Sequence, residues 1–320
     1  MERLLPRALR IGDEVAVVAP AGGVRDEEAL ARGLERLRSW GLVPTLLPHA
    51  RERLDWPAGS PLSAPDAARL ADLQEAVANP RYRAVMLVRG GYGITRLLAG
   101  LDLSPLGRDP KPIVGYSDAT ALLGAARAAT GLVGFHGPMV QTTAAMDAGL
   151  ACWDLQRRLL FDAREPAPLP PAPAARVLRA GTAEGPLVGG NLSLMMCLVG
   201  TPWQLDTRGA LVFLEDIGEI PYRIDRMLTH LLDTGALHHA AGVVLGDFHA
   251  DDTPLASEHQ PTLAVLEERL AALPIPVALG FPFGHRPGTW TLPFGARARL
   301  TAPAAGAPAT LELREPAVRE

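Results

Sequence analysis

Glu14-Val-Ala-Val-Val-Ala19 is a continuous apolar run, rich in valine and closed by Pro20-Ala-Gly-Gly23, and few folds can hold it. A strand without polar alternation has both faces covered, the condition of a parallel sheet with helices on either side. The next segment has the matching period: leucines at 30, 34 and 37 draw one apolar stripe along a helix over residues 26–40. Residues 42–47 are strand-like, and Ser63 is placed to cap a helix running to about Ala78, with Pro65 in its first turn and Asp66 three residues on. Residues 84–88, 112–115 and 133–135 predict further strands, with a helix over 118–129 between the last two. Strands separated by helices imply βαβ units.

A helix over residues 147–161 closes this half. The following Arg164-Glu-Pro-Ala-Pro-Leu-Pro-Pro-Ala-Pro173 is too rich in proline for a helix or a central strand, and it predicts a stiff linker. The expected division is therefore an N-terminal parallel-sheet α/β domain over residues 1–163, a linker over 164–176, and a mixed α/β domain over 177–320. In the latter, strands are expected at 211–214, 242–246 and 277–279, and helices at 191–199, 221–234 and 261–272. Pro221 suits a first helical position, and Ile224, Met227, Leu228, Leu231 and Leu232 give that helix one apolar face.

Composition excludes several classes. With 320 residues, 48% hydrophobic and 21% charged, the chain is long and apolar enough to bury a core, so disorder and coiled coil are set aside. A net charge of -4 without a basic run gives no reason to expect nucleic acid or an anionic membrane. Of 31 basic residues Lys111 alone is lysine, and it lies in Asp-Pro-Lys-Pro, outside any glycine-rich loop; lysine Schiff-base and P-loop chemistry are set aside. Cys152 and Cys197 lie in apolar stretches without C-x-x-C spacing, and no uncharged run reaches the length of a membrane span. A soluble, cytoplasmic protein is expected.

Four segments could carry chemistry. In Val114-Gly-Tyr-Ser-Asp118 a short strand leads through a serine into a helix, the logic of a nucleophile elbow, although Ala119 replaces the final glycine of that pattern and Ser117 could simply cap the helix. Arg89-Gly-Gly-Tyr-Gly93 permits positive φ and close backbone approach to a ligand, or is only a tight turn. Glu215, in Leu214-Glu-Asp-Ile-Gly-Glu219, follows directly on a strand, whereas Glu219 suits a helix N-terminus. His285, in Phe281-Pro-Phe-Gly-His-Arg-Pro-Gly288, sits in a loop fixed by glycine and proline. His249, Asp251, Asp252 and His259 match no zinc spacing and are expected to be solvated loop residues rather than metal ligands.

Taken together, Ala19-Pro-Ala-Gly22, Arg89-Gly-Gly-Tyr-Gly93, Gly115-Tyr-Ser-Asp118, Phe135-His-Gly-Pro-Met139, Gly189-Gly-Asn-Leu192, Leu214-Glu-Asp-Ile-Gly-Glu219, Arg223-Ile-Asp-Arg226 and Phe283-Gly-His285 fall in the order of one family. From about residue 10 to 300 the chain resembles the LD-carboxypeptidase serine peptidases, which include muramoyltetrapeptide carboxypeptidases and microcin C self-immunity peptidases. The resemblance implies Ser117 as nucleophile, His285 as base and Glu215 as the acid orienting it. It also implies an oxyanion hole from the N–H of Asp118 and one N–H of the Gly90-Gly91 turn.

The implied substrate is a murein-derived tetrapeptide whose C-terminal D-alanine is released from an L-residue, with no metal or other cofactor and a homodimer expected. A free terminal carboxylate calls for an arginine, for which Arg89, Arg223 and Arg286 are candidates. The immunity branch instead cleaves aminoacyl-nucleotide conjugates, and Trp153 or Trp290 could then stack on the base. A non-catalytic module binding a peptide or nucleotide is the alternative from another class.

Overall fold

The computed structural model describes residues 2–55, 59, 61–141, 150–249, 259–304 and 306–320. In the first half β1 (Glu14–Val18), α1 (Glu27–Ser39), β2 (Val43–Leu46), α2 (Asp66–Ala78) and β3 (Tyr82–Leu87) follow one another. A short α3 (Pro105–Arg108), β4 (Ile113–Val114), α4 (Ala119–Thr130), β5 (Gly134–His136) and α5 (Leu150–Phe161) complete it. The first turn expected for α5 lies outside the described residues. Asp26 caps α1 by accepting the Ala29 N–H. Ser63 does not cap α2: its buried hydroxyl donates to the Ala19 carbonyl at 2.6 Å and ties this segment to the end of β1, leaving Pro65 at the cap position.

The second half contains β6 (Arg176–Arg179), β7 (Gly181–Asn191), α6 (Leu192–Leu198), β8 (Leu211–Ile217), α7 (Pro221–Asp233) and β9 (Gly242–His249). Then come α8 (His259–Ala271), β10 (Val277–Leu279), β11 (Leu292–Phe294), β12 (Arg297–Ala302) and β13 (Thr310–Leu313). No described helix is long and apolar enough to cross a membrane.

Two sheets organise the molecule, so the α/β reading holds. The first has the order β11-β5-β4-β3-β1-β2, with β1 to β5 parallel and β11 antiparallel to β5. The second has the order β13-β12-β7-β8-β9-β10-β6, with β7 to β10 parallel and antiparallel strands at both edges. The strand β11 lies late in the chain yet completes the first sheet, with Leu292 opposite His136. A further tie crosses between the halves: the Asn191 N–H at the end of β7 donates to the Thr120 hydroxyl of α4 at 3.1 Å. Buried valines and leucines of β1, β3, β8 and β9 fill the cores.

Open parallel sheets bind ligands in the crevice outside the carboxyl ends of their strands. Here the loops after β1, β3 and β4 are locked to one another by buried polar groups. The Arg69 guanidinium, fully buried, donates to the carbonyls of Pro20, Ala64 and Gly93. The Asp118 carboxylate, 2% exposed, accepts the Ile94 N–H at 2.8 Å and so fastens the glycine-rich turn to the start of α4. Burial pushes the Asp118 pKa up to about 6, against the opposing pull of the Ile94 N–H and Arg69.

A pKa raised in the folded state means that the protonated form carries the stability. That contribution is complete below about pH 4, where the unfolded carboxyl also protonates, and is lost as pH rises through about 6. Asp118→Asn retains a carbonyl acceptor for Ile94 without the charge. Its stability relative to the parent protein is expected to rise by up to about 2 kcal/mol between pH 4.5 and pH 8. Urea denaturation at the two pH values measures this, and a pH-independent difference refutes it.

Candidate active site

Ser117 follows β4 at the turn into α4 with φ of 64°, the single positive φ outside glycine among the described residues. This conformation costs an L-residue about 1 kcal/mol or more and persists only where the surroundings enforce it. Enforcement comes from both sides of the turn: Ala119 N–H bonds the Tyr116 carbonyl and Thr120 N–H the Ser117 carbonyl. The glycine-rich turn packs directly on the serine, since a Cβ on Gly90 would lie 2.9 Å from the Ser117 Cβ and 3.0 Å from its Oγ.

The strand β8 runs on through the acidic segment, so Glu215 and Asp216 are strand residues pointing to opposite sides. The register between β8 and β9 shifts between Leu214 and Asp216, an irregularity of the kind that re-aims a side chain. Glu215 is fully buried, and its Oε2 lies 2.7 Å from Nδ1 of His285. A carboxylate can only accept, so Nδ1 carries the proton and Nε2 is left as the basic nitrogen. Gly284 makes the approach possible: its φ is 107°, and a Cβ there would sit 2.8 Å from the Glu215 Cβ and 2.9 Å from Oε2.

Asp216 is held separately, accepting from Asn191 Nδ2 and from the Ser193 N–H and hydroxyl at 2.8–2.9 Å. Burial pushes the Glu215 carboxyl up, but His285, His136 and Asn191 together outweigh it and hold the group below the usual glutamate range.

Ser117 and His285 line one cleft of about 280 Å³ together with Gly90, Gly91, Tyr116, Met139 and Gln141. The His285 ring leans on Tyr116, with centroids 4.8 Å apart. Asp118 follows the serine directly at the helix start, and the two turn glycines line the cleft beside the serine. Of the three arginine candidates, Arg89 lines this cleft. It is half-buried, makes no hydrogen bond or ion pair with any described residue, and its pKa is pushed down to about 10 by burial and by the neighbouring Arg25.

Arg223 is exposed and lies 3.6 Å from Glu219 one helical turn back, and Arg286 turns to the Pro287 carbonyl; neither lines the cleft. Arg25 does line it, and the sequence offers no signal for this because the residue precedes a helix cap like any loop arginine. Its N–H is anchored on Gln141 Oε1 at 2.9 Å.

Neither tryptophan presents a face to the cleft. Trp153 is buried with the Arg36 guanidinium 3.7 Å above its ring, and Trp290 packs on Phe281 in the core. The side chains of His249, Asp251, Asp252 and His259 lie outside those the structure describes, and among the described residues no group of three or more His, Cys, Asp or Glu could hold a metal. Cys152 is buried as its apolar setting suggests, whereas Cys197 is exposed on the outer side of α6.

Comparison with known proteins identifies the family. Residues 15–137 match the LD-carboxypeptidase N-terminal domain and residues 184–300 the LD-carboxypeptidase C-terminal domain. The probable murein peptide carboxypeptidase of Bacillus subtilis (strain 168) is 39% identical over 296 residues, spanning 92% of this chain and 91% of that protein. The crystal structure of muramoyltetrapeptide carboxypeptidase from Oxalobacter formigenes superposes with a TM-score of 0.79 at 32% identity, covering 96% of this chain and 100% of the other. An MccF-like protein from Bacillus anthracis str. Ames superposes with a TM-score of 0.85 at 25% identity, covering 97% and 99%. With both domains matched in order and the relatives aligned over almost their whole length, the chain belongs to the LD-carboxypeptidase family of serine peptidases.

Proposed function

We propose that this enzyme hydrolyses the L–D peptide bond before the C-terminal D-alanine of a murein tetrapeptide, with Ser117 as nucleophile, His285 as general base and Glu215 as its orienting acid. The observation that carries the reading is the buried Glu215–His285 pair opening onto the same cleft as a serine held at positive φ. In this reading His285 Nε2 takes the proton from Ser117 Oγ as the oxygen attacks the scissile carbonyl. The N–H of Asp118 and one N–H of the Gly90-Gly91 turn receive the oxyanion. The imidazolium then returns its proton to the leaving amine of D-alanine, and water releases the acyl group by the same steps in reverse order.

Arg89 supports an exopeptidase: among the described residues it has no hydrogen-bond or ion-pair partner, and a half-buried guanidinium in that state is costly until an anion binds it. Arg25 brings a second positive charge to the same cleft. A peptide is favoured over a nucleotide conjugate because the described aromatic rings in the cleft, Tyr116 and His285, lean on one another, leaving no free platform for a base. The reading carries with it a cytoplasmic, cofactor-free enzyme acting as a homodimer.

Ser117→Ala, His285→Ala and Glu215→Gln are each expected to lower kcat by about a thousandfold or more, with the double variants little worse than the singles because the three act as a unit. Steady-state kinetics on murein tetrapeptide, with circular dichroism to verify folding, measures this; near-parental turnover by Ser117→Ala refutes the nucleophile.

The second expectation concerns the leaving residue. A peptide ending L-Xaa-D-Ala should be cleaved about a hundredfold or more faster than its L-Ala diastereomer or its C-terminal amide, since each loses either the carboxylate pair or the fit of the methyl group. Arg89→Gln should largely erase the distinction between acid and amide while still preferring the D-residue. Mass spectrometry of the three peptides, with an aminoacyl-sulfamoyl adenylate alongside, decides between the substrates. Equal rates for all three peptides, or cleavage of the adenylate alone, overturn the carboxypeptidase reading.

A further inference from the structure

His136 is the last residue of β5 and so belongs to the sheet that carries Ser117, yet its side chain meets the acid of the other sheet. It is 1% exposed, and neither ring nitrogen makes a hydrogen bond to a described residue. Its Nε2 lies 3.8 Å from Glu215 Oε1, which is itself buried without a hydrogen bond. Phe213 and Tyr116 present ring edges to it, with centroids at 5.2 and 6.0 Å. A phenylalanine would fill such a box without leaving buried polar atoms unsatisfied, each of which is expensive. The polar ring therefore needs a reason.

We propose that His136 is a positioning residue for the acid: protonated on Nε2 and uncharged, it donates to Glu215 Oε1 while His285 Nδ1–H donates to Oε2, so that both carboxylate oxygens are gripped. The proposal rests on the reading of Glu215 as the acid of the Ser117 mechanism. The present separation exceeds an ordinary N–H···O bond by about 0.8 Å, within reach of a small rotation of either side chain.

An uncharged donor suits the task. It fixes the carboxylate without cancelling the negative charge that stabilises the His285 imidazolium, which an arginine in the same place would do. Burial, with a smaller push from His285, brings the His136 pKa down to about 4 despite Glu215, so the ring is neutral at physiological pH. The titratable groups facing this pair are Tyr116 from the turn after β4 and His285 from the loop after β10; Asp216, next along β8, points to the other side of the strand but feels the Glu215 charge, and Arg89 acts on Tyr116. The contact also spans the two sheets, and so couples the position of the acid to the sheet that holds the nucleophile.

Two variants and one spectrum test this. His136→Phe, which keeps the shape and removes the donor, should lower kcat about 10- to 100-fold with KM within about twofold. It should also move the acid limb of kcat/KM to higher pH, because an unshared Glu215 charge raises the pKa of His285. His136→Gln, whose amide N–H can reach where Nε2 does, should recover most of the loss and restore the limb. Equal losses in both variants with an unmoved acid limb, or no loss in His136→Phe, overturn the proposal.

Nitrogen-15 histidine NMR of the parent enzyme should show His136 neutral with its proton on Nε2 from pH 5 to 9, and Glu215→Gln should shift that resonance. A proton on Nδ1 alone, or no response to Glu215→Gln, also overturns it. This spectrum needs no folded His136 variant and no turnover. Absence of L–D peptidase activity would therefore sink the functional reading while leaving His136 still testable.

Discussion

A carboxylate with no solvent-accessible surface is costly unless the charge is answered by hydrogen bonds and opposite partial charges. Glu215 is such a group, and the 2.7 Å bond from His285 Nδ1 is what answers it. Much of the local architecture follows from making that bond possible. The register shift between β8 and β9 falls at Glu215, and Gly284 lacks the side chain that would collide with it. The adjacent Asp216 is satisfied by Ser193 and Asn191, and the Asn191 amide bears on Glu215 as well, so one side chain helps hold both buried acids. The same bond fixes the tautomer that leaves Nε2 available as a base.

The second constraint is registration between two sheets. Ser117 leaves one sheet at the end of β4, whereas Glu215 and His285 leave the other at the ends of β8 and β10. In the proposed mechanism the base must lie within hydrogen-bond reach of its nucleophile, so the halves must be held to a fraction of an ångström. They are held by backbone as well as side chains: Asn191 donates to Thr120, and β11 crosses from the second half to pair with β5. On the Ser117 side, Arg69 and Asp118 bind the loops of three neighbouring strands into one rigid rim. That rigidity offsets the backbone strain at Ser117. Arg89, without a hydrogen-bond or ion-pair partner among the described residues, is a different kind of cost, which an anionic group of the proposed substrate would remove.

Much of this was legible in the sequence because it is local. Uninterrupted valine-rich runs require a two-sided environment, and leucine spacing defines α1. The glycine-rich turn and the strand-serine-helix segment announce unusual backbone, and family order assembles them with Glu215 and His285 into one expectation. By contrast β7 passed unnoticed, because Gly181, Gly185, Pro186, Gly189 and Gly190 argue against a strand by propensity. Its pairing with β8 and β12 overrides that preference. Ser63, with the right chemistry and spacing for a helix cap, serves another element, since a hydroxyl donates to whatever acceptor the fold brings within reach.

The sequence by itself determined the α/β class, the parallel strands of the first half and the residue types able to carry acyl transfer, because these depend on period, propensity and side-chain chemistry. Only the tertiary structure decided which arginine enters the cleft, that both tryptophans are core, that Arg25 stands beside Arg89, and that His136 faces the buried acid. These depend on distances between residues tens to hundreds of positions apart, and no local pattern encodes them. His136 and Glu215 are separated by almost eighty residues and lie on different sheets, and packing alone brings their polar atoms to 3.8 Å.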